Sequence, residues 1–135
     1  IHEVRRWAQE TKRADGRRVI DQEWVQTTLA RVHARAEVLK LMNWKVAAAG
    51  KGLNPADASA TKVYGTELAL EAYRLLMGIV GETAYLLDGS PSAVLAGRLE
   101  SRFRSEIIFT FGGGTNEIQR DIIGMIGMGM PRAPR

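Results

Sequence analysis

The sequence predicts an all-α fold, an antiparallel four-helix bundle with a short extra helix at the C-terminal end. Three observations point there. Apolar residues recur at spacings of three and four over long stretches, and no stretch alternates with period two. The breaks between periodic stretches are short and rich in Gly, Asp, Asn and Pro. Long helices joined by short loops pack as antiparallel neighbours.

The first helix is predicted from Ile1 to about Lys12, with Val4, Trp7 and Ala8 on one face, and it stops at Ala14-Asp15-Gly16. The second runs from about Asp21 to Ala49. Its stripe is Trp24, Val25, Leu29, Val32, Ala36, Leu39 and Trp44, and Gly50-Lys51-Gly52 ends it. Its roughly 29 residues span roughly 43 Å at the α-helical rise, a length that suits a bundle. The third helix has the clearest start: Asn54 as N-cap, Pro55 at the first helical position and Asp57 in the first turn. Ala58, Val63, Tyr64, Leu68, Ala72, Leu75 and Leu76 form its apolar side, while Glu67 and Glu71 share a wet face with Arg74 placed to relieve their repulsion. Breakers between Gly78 and Pro91 end it. A fourth helix is predicted from Ser92 to Ile107, with Glu100 and Arg104 at a favourable spacing, and a fifth from Thr115 to about Met128.

Composition bounds the function. The chain has 135 residues, 45% hydrophobic and 25% charged, as in an ordinary globular domain. It opens at Ile1, inside a helical pattern, and so reads as a piece of a longer protein. With no cysteine, a disulfide framework, a thiolate zinc site and a cysteine nucleophile are excluded, which fits a reducing, cytoplasmic setting. Uncharged runs such as Ile122 to Pro131 are too short to span a bilayer. The net charge of +4 comes from scattered basic residues without interleaved aromatics, so neither nucleic acid nor a membrane is an expected partner.

The segment Gly112-Gly113-Gly114-Thr115-Asn116-Glu117 is the most informative. Three glycines free the backbone for positive φ and remove side chains that would hold a ligand away. Thr115 suits an N-cap and Glu117 the first turn, so a bare loop feeds the positive end of a helix, an arrangement that holds phosphates and carbonyl oxygens. A plain turn explains the same residues. The tail, with Met125, Met128 and Met130 between glycines, predicts a soft surface that packs on another chain or domain. His2 and His33 lack partners at ligand spacing, no Ser–His–Asp arrangement is readable, and no calcium loop or metal cluster is present in the pattern.

Gly114-Thr115-Asn116-Glu117-Ile118-Gln119-Arg120, with Ile122-Ile123 and Gly129-Met130-Pro131-Arg132, resembles the signature ending of the acyl-CoA dehydrogenases. Leu29-Ala30, Lys62, Gly78 and Gly81 agree as well, so the resemblance extends over residues 1–135 as a C-terminal helical domain, without that family's N-terminal helical and β-domains. It implies FAD as cofactor, an acyl-CoA substrate and an electron-transfer acceptor. By resemblance Thr115, Asn116 and Glu117 contact FAD, Gly78 and Gly81 reach a flavin held mainly by a neighbouring subunit, and Gly114 touches substrate. Arg13 lies one place from the arginine of the family's Arg-x-x-Phe-Gly.

Departures from the pattern matter. The catalytic glutamate of many members falls on Gly113, so no catalytic residue is identified in this chain; Lys12, Asp15, Glu23, Leu75 and Ile79 also replace family residues. Degraded cofactor contacts with a missing base resemble most the heteromeric actinobacterial enzymes, α2β2 assemblies of unlike subunits that act on steroid side-chain CoA thioesters. The resemblance implies a homo- or hetero-oligomer that dehydrogenates acyl-CoA. A catalytically silent scaffold that completes a partner's flavin site fits the same residues.

Overall fold

A computed structural model describes residues 1–132. It contains α1 (His2–Glu10), α2 (Glu23–Ala49), α3 (Pro55–Val80), α4 (Arg98–Phe109) and α5 (Asn116–Ile122), the last continued by a π-turn at Ile123–Gly127. Among the described residues there is no strand, only an isolated bridge between Lys12 and Arg18. The all-α expectation holds.

The central element is α3, on which α1, α2, α4 and α5 all pack. Its start is local chemistry: the Asn54 side chain accepts from the Ala56 amide at 2.9 Å, and Pro55 needs no such partner. Contacts fix the sense of its neighbours. Lys45 reaches Asp57, Leu39 faces Gly65, and Arg35 pairs with Glu71, so descending α2 means ascending α3. Arg74 stacks over Phe103 while Lys62 and Phe109 line one groove, so α4 is also antiparallel to α3. The short α5 crosses the N-terminal half of α3, and Gly127 comes so close that an added Cβ would meet the Ala56 Cβ at 3.0 Å.

The two ends of this frame are packed differently. Val4, Ala8, Val25, Leu29, Leu76, Met77 and Leu99 form the core around the C-terminal end of α3. The other end is open: a groove of about 540 Å³ separates α2, α3 and α4, lined by Leu39, Val46, Ala58, Lys62, Glu106 and Phe109 among others.

Several expectations need correction. The fourth helix begins at Arg98 rather than Ser92, because Leu95, Ala96 and Gly97 take left-handed backbone (φ 53°, 53° and 66°) that no right-handed helix includes. The second helix begins at Glu23, after a 3₁₀ turn at Val19–Asp21, and is 27 residues long. Trp24 and Trp44, grouped with its apolar stripe, are 49% and 60% exposed, because at about 100° per residue they fall on opposite flanks of the face that buries Val25, Leu29 and Val32. Arg74 does not serve Glu67 and Glu71: Arg120 pairs with the first, and Arg31 and Arg35 with the second. The fifth helix is α-helical only to Ile122 before the π-turn. His2 and His33 are exposed as expected.

Candidate functional site

The site is built where α4 stops. Beyond Phe109 the chain turns back: Gly112 N–H donates to the Ile108 carbonyl at 3.0 Å, and Asn116 N–H donates to the Thr110 carbonyl at 3.1 Å. Gly113 and Gly114 make the reversal with φ of 71° and 92°, conformations that side chains disfavour. Thr115 then caps α5 as its sequence predicts, its Oγ1 accepting from the Ile118 amide at 3.3 Å.

A half-buried lysine on α3 holds the loop from behind. Lys62 Nζ donates to the Asn116 Oδ1 at 2.7 Å, the Gly114 carbonyl at 2.8 Å and the Thr110 carbonyl at 3.2 Å. Thr66 Oγ1 lies 3.2 Å from the same Asn116 oxygen, its one proton shared among that oxygen and the Lys62 and Val63 carbonyls at 3.0 and 3.2 Å. Asn116 Nδ2 donates to Glu67, which also pairs with Arg120. Asn116 is therefore 5% exposed and turned into its own bundle. A charged donor on a buried amide oxygen is among the stronger hydrogen bonds, so this knot defines the position of the loop. On the other side, Gln119 Nε2 donates to the Gly113 carbonyl at 2.8 Å.

The outer face of the loop is bare. The amides of Gly113, Gly114 and Thr115 find no acceptor among the described residues. A Cβ added at Gly113 would meet nothing within 4 Å, whereas one at Gly114 would strike Gln119 Nε2 at 2.8 Å. Glu117 is exposed, and its carboxyl is held below the ordinary glutamate range, first by its own backbone N–H and then by the Thr115 hydroxyl. Consecutive free N–H groups in left-handed backbone suit an anionic or carbonyl oxygen. Such a donor set fits the oxygens of a flavin nucleotide.

The other expected cofactor contacts lie elsewhere. Gly78 is exposed but sits inside α3, not in a turn, and Gly81 (φ 82°) closes that helix as its C-cap. Added Cβ atoms at both would meet open space. From Lys62 to Gly78 along α3 is about 24 Å at the helical rise, so the Gly78 end and the Thr115 corner do not touch the same atoms. Leu75 is partly exposed on that face, and Ile79, where the resembled family has a glycine, is buried in the core. Arg13 sits in the turn after α1, paired with Asp15 at 3.2 Å beside Arg17. No group of three His, Cys, Asp or Glu that could hold a metal occurs among the described residues.

Residues 1–128 match the family described as acyl-CoA dehydrogenase, C-terminal domain. The chain belongs to this family. It is 61% identical over its whole length to acyl-CoA dehydrogenase FadE26 of Mycobacterium tuberculosis, covering 35% of that protein. Among solved structures, the ChsE4–ChsE5 complex from Mycobacterium tuberculosis contains a chain 64% identical, with a TM-score of 0.94 over 98% of this chain and 35% of its own. A chain of the Tcur3481–Tcur3483 steroid ACAD is 42% identical, with a TM-score of 0.88 over 98% of this chain and 33% of its own. The chain thus spans about a third of the length of the relatives it matches. No helix among the described residues is long and apolar enough to cross a membrane.

The role of Lys62 was not readable from its own surroundings in the chain. The signal is that it falls four residues after Ala58 and four before Thr66, placing an ammonium on a face of small residues that a surface lysine does not need.

Proposed function

We propose that this chain is the C-terminal part of a subunit of an FAD-dependent acyl-CoA dehydrogenase that works as a hetero-oligomer on acyl-CoA thioesters of the steroid or lipid-degradation kind. The observation that carries the reading is the bare donor loop at Gly113–Thr115, backed by Lys62 and Asn116 and open to its outer side. Two relatives at high structural similarity come from complexes whose names join two different proteins, one of them named a steroid ACAD, and this supports the heteromeric form.

When bound, FAD supplies the acceptor for the hydride that leaves the β-carbon of the acyl group. Thr115 and Glu117, with the loop amides, would hold the cofactor at the start of α5, and Gly78 and Gly81 would face a flavin belonging mostly to a neighbouring subunit. No side chain at this corner is fitted to be the proton acceptor. Gly113 stands where a carboxylate would be needed, Glu67 is tied to Arg120, and Glu117 has its carboxyl stabilised as the anion, which makes it a weak base. The α-proton of the substrate then goes to a carboxylate of another part of the subunit or of its partner.

The alternative, a silent scaffold that completes a partner's flavin site, draws on Gly113 together with buried Ile79. One experiment separates the two. The full-length subunit is purified alone and together with a dehydrogenase-like partner, and absorbance in the flavin bands is read before and after adding acyl-CoA. The proposal expects little flavin in the lone subunit, strong flavin colour in the complex and bleaching by substrate. A partner that carries full flavin and full turnover without this subunit would leave only the scaffold.

A further inference from the structure

We infer that Lys62, helped by Gln119, is the positioning residue of the flavin-facing loop: it aims the Thr115 amide outward while Gln119 fixes the Gly114 peptide, and Lys62 does so without touching the cofactor itself. The inference rests on the reading above that this corner meets FAD.

The geometry argues it plane by plane. In a trans peptide the carbonyl and the N–H point in opposite directions, and every described peptide here is trans. The Gly114 carbonyl and the Thr115 N–H share one such plane. Lys62 draws that carbonyl toward α3 at 2.8 Å, so the Thr115 N–H points away from the bundle. The Gly113 carbonyl and the Gly114 N–H share the next plane. Gln119 draws that carbonyl to its own side at 2.8 Å, which fixes the plane and turns the Gly114 N–H away from Gln119. Neither N–H meets an acceptor among the described residues.

Lys62 is fit only to hold. An ammonium has three protons, and here all three have acceptors: two loop carbonyls and the Asn116 amide oxygen. It has no donor left for a ligand. Its effect on a cofactor therefore passes through the loop, as pre-set orientation of donors that a flexible glycine run would otherwise lose. Three consecutive glycines make such restraint necessary, because nothing in their own torsions confines them.

The test uses the full-length subunit in complex with its partner. Lys62→Met and Gln119→Ala are compared with the unaltered complex by FAD titration, by the visible absorption of the bound flavin, and by amide hydrogen exchange. The inference expects Lys62→Met to weaken FAD binding about tenfold, which corresponds to about 1.4 kcal/mol. It also expects a shifted flavin spectrum and faster exchange confined to residues 110–119, with the peptides around Met77 unchanged. Gln119→Ala is expected to move the same readouts less. Faster exchange spread equally through the core would overturn the inference, since that is a folding defect. So would a loosened loop with unchanged FAD affinity and spectrum. Should Lys62→Met fail to assemble, Gln119→Ala decides alone, and unaltered FAD binding there overturns the inference. An unaltered complex that binds no FAD sinks the functional reading instead, and unchanged exchange at 110–119 in Lys62→Met then sinks the clamp as well.

Discussion

At the packed end of the bundle, Gly97 has a φ of 66°, and a Cβ there would lie 2.5 Å from the Asp88 amide nitrogen. At the open end, Gly113 has a φ of 71°, and a Cβ there would meet nothing within 4 Å. Both are left-handed glycines closing a turn, yet the reasons differ. Gly97 is small because its own chain occupies the space: the backbone of Leu87 and Asp88 lies directly against it. Gly113 is small where its own chain leaves room. A glycine forced by internal packing serves the fold, and one beside empty space and unpaired amides is free to serve a ligand.

Substitutions break the two ends apart. Gly97→Ala combines left-handed strain with collision against backbone that cannot swing aside, and should cost about 3 kcal/mol or more in denaturant unfolding of the full-length protein. If it melts like the unaltered protein, the packed-end account is wrong. Asn116→Leu probes the part of the open end that the chain does fill. It removes the oxygen that Lys62 donates to, leaving one ammonium proton without its acceptor, and breaks the link to Glu67, and should cost about 2 kcal/mol. A neutral result would mean that the loop is not tied to α3 as described.

Legibility in the sequence divides along the same line. Signals confined to a few neighbouring residues were readable: Asn54-Pro55 opening α3, Thr115 capping α5, and the glycine run between α4 and α5. The late start of α4 was not, because left-handed Leu95 and Ala96 have no local signature; surrounding packing imposes them. Spacings of three and four grouped Trp24 and Trp44 with the stripe of α2, but such a count lets the face drift around a long helix, and the two end on opposite flanks of the face that buries Val25, Leu29 and Val32. The inward turn of Asn116 depends on Lys62, 54 residues away in the chain, and only the fold brings them together. The motif named the corner, while the division of labour within it, Asn116 holding and the neighbouring amides exposed, needed coordinates.

Smaller changes sharpen the contrast. Gly113→Ala meets no clash, so its cost should be only the left-handed penalty of about 1 kcal/mol, while FAD binding by the assembled complex should fall far more than that loss of stability explains. Equal losses in both would reduce Gly113 to another structural glycine. At the packed end, Ala96→Gly relieves left-handed strain but adds freedom to the unfolded chain, and the balance should stabilise by about 0.5 kcal/mol. The melting curve checks it, and a destabilised variant would show that the Ala96 methyl contributes contacts worth more than its strain.

The smallest effect concerns charge at the open corner. Glu117 is exposed, and its carboxyl is held below the ordinary glutamate range by its own N–H and the Thr115 hydroxyl. A carboxyl with a lowered folded-state pKa adds stability that is fully present above its unfolded value. That contribution fades as the pH falls through the unfolded glutamate pKa of about 4.3 and on through the lower folded one. Glu117→Gln should therefore lie slightly below the unaltered protein in stability at neutral pH and converge with it in acid, in paired melts across that window. A gap that stays constant with pH would assign the difference to hydrogen bonding or helix propensity instead of to the anion.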